Sequence, residues 1–176
     1  QYDEPIIDSS MIPTSLLSQL VRRHCKVALG GDGGDELFGG YNHYNRMLWL
    51  QQRLRFLPPA VRRMIASTAE QLLPIGWKGR NWMQALGLNL QREVPLMIRH
   101  FDLVTRRNLV SGPQNRSLVA EAVYQEFVSL HSDLLQRATR ADFTTYLTED
   151  ILVKVDRASL LHSLEVRSPF LAYRLI

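Results

Sequence analysis

"KVALGGDGGDELFGG", Lys26 to Gly40, decides how the rest of the chain is read. "KVAL", Lys26 to Leu29, has the character of a short buried strand stopped by glycine. The loop after it holds six of the chain's ten glycines beside Asp32, Asp35 and Glu36. Asp35 to Phe38 then opens a helix. The order strand, glycine loop, acids, helix turns backbone N–H groups toward one spot, and phosphate oxygens favour such a spot. Alone, the acids would repel phosphate. With Mg²⁺ between them they become ligands, and Asp32 and Asp35 are suitably placed. A plainer role is equally open from the loop alone: either aspartate suits the N-cap of the helix that starts there.

Familiar phosphate motifs do not fit. A P-loop needs Lys followed by Ser or Thr after its last glycine. The dinucleotide fingerprint fails because Glu36 stands where its third glycine belongs. The acids are wrongly spaced for a calcium loop.

Working outward, "IPTSLLSQLVRRHC" predicts a helix before the strand, with Pro13 in its first turn and Leu16, Leu17, Leu20 and Val21 as its apolar stripe. Gly39–Gly40 interrupts the helix after the loop. Helical patterning resumes from Tyr41 to about Phe56, breaks at Pro58–Pro59 and runs again from Pro59 to Leu73. Pro74, Gly76 and Gly79 mark a loop with Trp77 and Trp82 packing around it, and shorter helices are expected through Leu109. Ser111 to Asn115 is a turn. Further helices are expected from about Ser117, with Val119, Val123, Phe127 and Leu130 on one face, then from about Ser132 to Leu147, and from Asp150 to about His162.

This leaves many helices and one short, parallel-type strand. A lone strand cannot satisfy its own backbone in a core, so its partners are expected outside the 176 residues. The fold class is therefore read as α/β, with this chain an incomplete and mostly α-helical part of a larger enzyme.

Bulk composition agrees with a globular domain: 45% of the residues are hydrophobic and 22% charged. No apolar run approaches the roughly 18 residues of a membrane span. The start of the chain, "QYDEPIIDSS", is acidic where a signal peptide would be basic and then apolar. Cys25 is the only cysteine. It is expected as a small core residue and fits a cytoplasmic setting. His24, His43, His100, His131 and His162 lack metal-ligand spacing. The formal net charge is +4. Arginine pairs such as Arg22–Arg23, Arg62–Arg63 and Arg106–Arg107 fall in helical patterns, as solvated faces do, so neither nucleic acid nor membrane is expected as a partner.

"ALGGDGGDELFGGYNHY" resembles the second conserved loop in the synthetase domain of glutamine-dependent asparagine synthetases, usually Ser-Gly-Asp/Glu-Gly-x-Asp-Glu-x-x-x-Gly-Gly-Tyr. "YLTEDILVKVDRASLLHSLEVRSPFLAYRL", Tyr146 to Leu175, is similar to the family's Lys-x-Asp-Arg … Glu-x-Arg-x-Pro-Phe-Leu segment. "DEPIIDSSMIPT", Asp3 to Thr14, resembles the stretch before the loop. Both ends match, in the right order.

The resemblance implies an adenine nucleotide alpha hydrolase-like (HUP, or PP-loop) synthetase domain of the ATP-pyrophosphatase type, a parallel sheet flanked by helices. It implies that ATP adenylylates a carboxylate, usually that of aspartate, with release of pyrophosphate, and that ammonia derived from glutamine then displaces AMP to leave an amide. ATP and Mg²⁺ follow as cofactors. Residues 1–176 are expected to be a partial C-terminal synthetase domain. The N-terminal glutaminase domain, with its cysteine nucleophile, and the first pyrophosphate loop are absent from it, and the catalytic lysine of Gly-Lys-x-x-Leu-Arg is expected downstream. Alone it is expected to be inactive and prone to self-association, a homodimer being the simplest form.

By the same match Gly30, Gly31 and Gly33 would meet the nucleotide through backbone, Asp35 would bind Mg²⁺, and Asp32 would supply an acid needed in the adenylate chemistry. Two departures bear on the acceptor: Gly30 replaces the usual serine, and Ala172–Tyr173 stand where Asp-His is common. Aspartate or a related acceptor in polysaccharide biosynthesis is therefore implied. Lys154, Asp156, Arg157 and Arg167 are expected to be structural: Asp150 and Lys154 have the spacing of a surface ion pair, and Asp156 could pair with Arg167 in a buried setting. The alternative function is a basic helical module for nucleic acid or a protein partner, suggested by the arginine-rich stretch from Arg46 to Arg63 and distinguished by steep salt dependence.

Overall fold

The computed structural model describes residues 8–90 and 133–174. The turn Ser111–Asn115, the helix expected from Ser117, His100 and His131 lie outside the described residues. The chain divides into two units, residues 1–40 with 141–176, and residues 41–140.

The first unit begins with helix α1, Met11–Arg22. As expected, Pro13 lies in the first turn, where a missing N–H costs nothing. Strand β1 follows at Val27–Leu29 and the five-residue helix α2 at Gly34–Phe38. Later in the chain a π-helical turn, Leu147–Ile151, runs into helix α7, Leu152–Leu160. Ser163, at φ 57°, turns the chain into strand β2, Glu165–Arg167, and a 3₁₀ turn, Pro169–Leu171, comes after it.

The strand pairing corrects the sequence reading. β1 is not without a partner in this chain: β2 pairs with it in parallel, with Val27 opposite Glu165, Ala28 opposite Val166 and Leu29 opposite Arg167. The ladder extends beyond both ends, as Glu165 N–H donates to the Lys26 carbonyl at 3.0 Å and Gly30 N–H to the Arg167 carbonyl at 2.8 Å. Nor is the strand buried, because Leu29 is 75% exposed.

α1 packs on α7. Small residues are buried on both helices, Ser18 on α1 and Ala158 and Ser159 on α7, so the backbones approach closely. Ser15 Oγ and His162 Nε2 share a 2.9 Å hydrogen bond, and Arg22 Nε donates to the Ser163 carbonyl at 3.0 Å. The leucines expected as the core stripe of α1 point the other way: Leu16, Leu17 and Leu20 are all exposed. Cys25 is exposed too, not a core residue.

The second unit contains α3, Asn42–Leu54, α4, Pro59–Leu72, and α5, Arg80–Leu86. These bounds lie within two residues of those expected for α3 and α4, because Pro58–Pro59 sets the break between them. Tyr44, Met47, Leu50 and Leu54 are buried at helical spacing on α3. α4 packs on α5, and the α5 residue Arg80 is buried with its guanidinium on the carbonyls of Leu73 and Glu70 at the end of α4. Such a cation satisfies carbonyls that the helix leaves unpaired. Helix α6, Leu134–Thr144, begins in this unit and places Arg137 in the interior, only 1% exposed, where it donates to the Leu90 carbonyl. Burial lowers the Arg137 pKa and the nearby Asp133 charge opposes that shift. No helix among the described residues is long and apolar enough to cross a membrane.

Candidate active site

The β1–β2 pair brings the glycine loop against the segment after β2. Ser168 Oγ donates to Asp32 Oδ2 at 3.1 Å. Phe38 and Phe170 meet edge to face, with centroids 5.7 Å apart and planes at 80°. Gly33 sits at φ 87°, a left-handed conformation that glycine adopts freely, and a Cβ there would collide with Leu171. A Cβ on Gly34 would rest 3.4 Å from the Phe170 ring. Gly33 and Gly34 are therefore small because Leu171 and Phe170 lie on them.

Gly33 is the N-cap of α2, and no side chain caps that helix. The plainer role for Asp32 and Asp35 therefore does not hold: Asp32 is taken by Ser168, and Asp35 lies inside the first turn. Asp35 is exposed, Asp32 half-buried and Glu36 only 3% exposed. Gly40 gives the loop its second close approach, since a Cβ there would strike the Asp35 carboxylate.

Gly30 differs from its neighbours. Its N–H is committed to Arg167 in the ladder, and a Cβ at this position would stand 2.7 Å from Asp32 Oδ2 and 3.1 Å from Val166. The missing side chain is what lets the short Asp32 carboxylate fold back beside the strand. Gly31, by contrast, is exposed and has open space at its Cβ position.

A second polar cluster in the same unit involves Lys154. Its Nζ donates to Asp8 Oδ2 at 2.7 Å and to Ser10 Oγ at 2.9 Å. Lys154 is thus held by a residue far away in sequence. Burial of Asp8 works against its charge, yet the hydrogen bonds from Lys154 and Ser10, helped by the Lys154 charge, bring its carboxyl from 3.8 down to about 2. Burial raises the Tyr146 pKa, and the charges of Asp150, Asp8, Glu36 and Asp142 raise it further. The buried pair of Asp156 with Arg167 does not form: Asp156 is exposed, and Arg167 Nε instead donates to Glu165 at 2.7 Å on the surface.

The asparagine synthase family model matches residues 1–176. The chain belongs to the asparagine synthase family. Among curated relatives, a Mycobacterium tuberculosis protein named "Putative asparagine synthetase (glutamine-hydrolyzing)" is 34% identical over 172 residues, covering 96% of this chain and 26% of its own length. "Asparagine synthetase (glutamine-hydrolyzing) 1" of Bacillus subtilis is 30% identical over 172 residues, 97% of this chain and 27% of its own length. A Methanocaldococcus jannaschii protein, "Putative asparagine synthetase (glutamine-hydrolyzing) 2", is 48% identical over 59 residues, 32% of this chain and 12% of its own length. The chain spans about a quarter of the length of the first two relatives. No solved structure is significantly similar to it.

Asparagine synthase membership and the geometry together direct attention to residues that sequence reasoning passed over. Ser168, Phe170 and Leu171 build one wall of the loop, and the matching Arg-Ser-Pro-Phe-Leu run was their only local signal. Glu36 lay in the quoted loop without a role. Asp8 and Ser10 carried no signal toward Lys154, because their meeting depends on the packing of α1 on α7.

Proposed function

We propose that this chain forms part of an ATP-dependent, glutamine-hydrolysing amidotransferase, and that the glycine loop holds the phosphates of ATP. The acceptor carboxylate, that of aspartate or a related acceptor in polysaccharide assembly, attacks the α-phosphorus and pyrophosphate leaves. Ammonia, released from glutamine in a glutaminase domain of the same protein, then attacks the acyl carbon and AMP leaves, giving the amide. The observation that carries this reading is the Asp32–Ser168 contact, which joins the two family-matching segments into one surface.

The loop residues fit the nucleotide and metal in different ways. Gly31 offers exposed backbone with open space beside it, which suits close approach of phosphate oxygens. Gly33 allows the loop to turn there, and Gly30 contributes mainly by anchoring the loop to β2. No group of three or more potential metal ligands occurs among the described residues. That suits Mg²⁺ better than a metal held wholly by protein, since Mg²⁺ commonly takes one or two carboxylates and completes its shell with phosphate and water. The exposed Asp35 is the carboxylate assigned to it. When bound, Mg²⁺ would neutralise charge on the departing pyrophosphate. Asp32, fixed by Ser168, is assigned as the acid that the adenylate chemistry needs.

The test is product analysis with the full-length protein, ATP, glutamine and aspartate. AMP and pyrophosphate formed in step with amide are expected. ADP and orthophosphate would indicate acyl phosphate chemistry and overturn the proposal.

A further inference from the structure

The arginine-rich stretch has no part in the glycine loop, yet in the second unit it lines a cavity of about 830 Å³. The end of α3, the start of α4 and the residues after α5 line it. Arg55, Arg62 and Arg63 contribute cationic side chains, and no carboxylate lines it among the described residues. The exposed Leu57 and the half-buried Leu88 supply apolar surface.

Arginines on a convex helix surface need no explanation beyond solvation. Two features set these apart. They surround a concavity of the size that small ligands occupy. Among the described residues, no acid offsets them in its lining. The carbonyl end of α3 and the N–H end of α4 meet at this turn, so their dipoles offset and the arginines set the sign.

We infer that this cavity binds a phosphorylated small molecule. Arg55, Arg62 and Arg63 hold its phosphate, and a short apolar portion lies on Leu57 and Leu88. Phosphate suits the site better than carboxylate because it brings nearly two charges and three strong acceptor oxygens to three guanidinium groups. A polyanion would gain more from an extended basic stripe than from three arginines around one concavity.

Titration calorimetry on the full chain at about 0.15 M salt, where long-range attraction is screened, tests this. The probes are hexyl phosphate, inorganic phosphate, hexanoate and a short DNA duplex. Hexyl phosphate should bind at least tenfold more tightly than inorganic phosphate or hexanoate. Arg55→Gln/Arg63→Gln, at two exposed positions, should weaken it at least tenfold with an unchanged melting temperature, and Arg62→Gln should do the same. Gly31→Val in the nucleotide loop should leave it unaltered. Equal affinity for inorganic phosphate, or undiminished binding by the double arginine variant, would overturn the inference. So would loss of binding in Gly31→Val, or displacement of hexyl phosphate by DNA with steep salt dependence.

Discussion

Ser168 Oγ donates a 3.1 Å hydrogen bond to Asp32 Oδ2 although 136 residues separate the two in sequence. Both ends of the contact are fixed independently. Asp32 follows β1 by three residues and Ser168 follows β2 by one, and the parallel ladder sets them at the same end. Such placement just beyond the carboxyl ends of parallel strands is where open α/β sheets bind ligands.

Replacing Ser168 by alanine should therefore affect rate more than stability. A half-buried carboxylate would lose one donor, costing about 1 kcal/mol of folding free energy. If Asp32 acts from the orientation that Ser168 gives it, pyrophosphate release should fall by about tenfold, the scale of 1.4 kcal/mol in a barrier. Ser168→Thr keeps the hydroxyl and should recover most of the rate. Parallel melting and pyrophosphate assays on both variants make the comparison. An unaltered rate beside a lowered melting temperature would reduce the contact to a tether.

Gly33 and Leu171 offer a test of the loop's packing. Gly33→Ala places a methyl group at φ 87° and into Leu171. The backbone part should cost about 1–2 kcal/mol, and displacement of Leu171 adds to it. In Gly33→Ala/Leu171→Ala the collision is removed while the backbone strain stays. The double variant should hence be more stable than the sum of the single losses predicts, by about 1 kcal/mol. Urea midpoints for the four proteins decide it, and strict additivity would contradict the contact.

Asp8 should give the protein an acid-sensitive contribution. Its folded pKa, about 2, lies below the ordinary 3.8, so the carboxylate stabilises the fold above pH 3.8 and loses this effect as pH falls toward 2. A full shift of this kind is worth on the order of 2 kcal/mol, and solvent screening at a partly exposed pair brings it to about 1. Asp8→Asn cannot titrate and should lose stability near neutral pH. The difference in unfolding free energy between wild type and Asp8→Asn should shrink between pH 4 and pH 2. A difference that stays constant over that range would place the stabilising role of Asp8 outside its charge.

These contacts also mark where the sequence could be read and where it could not. α3 and α4 were legible because prolines punctuate them, and α2 because glycines bracket it. β2 was not. Its three residues, Glu-Val-Arg, carry too little pattern to identify a strand, and its partner lies 138 positions away. Long-range pairing has no local code. The same holds for Lys154, which the helix-spacing rule assigns to Asp150 but which packing delivers to Asp8. Apolar spacing on α1 identified a helix correctly and its buried face wrongly, since burial depends on what stands opposite. Glycine and acid content in the loop indicated the candidate site. Its wall of Ser168, Phe170 and Leu171 became visible only with the strands paired.

Asp35 carries the sharpest test of the proposed chemistry. It lies in the first turn of α2, exposed, and it is not the cap of that helix. Asp35→Asn keeps the shape and a carbonyl oxygen but removes the charge. The structural loss is confined to a favourable helix-end interaction of about 0.3 kcal/mol, so the melting temperature should hardly move. If the carboxylate holds Mg²⁺ against the phosphates, pyrophosphate release should drop by about a hundredfold, the scale on which removing one preorganised electrostatic group acts. Raising Mg²⁺ should recover part of the rate, because a neutral amide oxygen is a weaker ligand for a hard cation. The measurement is initial rate against Mg²⁺ concentration for the full-length wild type and variant. A variant curve displaced to higher Mg²⁺ supports the assignment. Coincident curves would show that the metal is held elsewhere and that Asp35 is a solvated acid beside the loop.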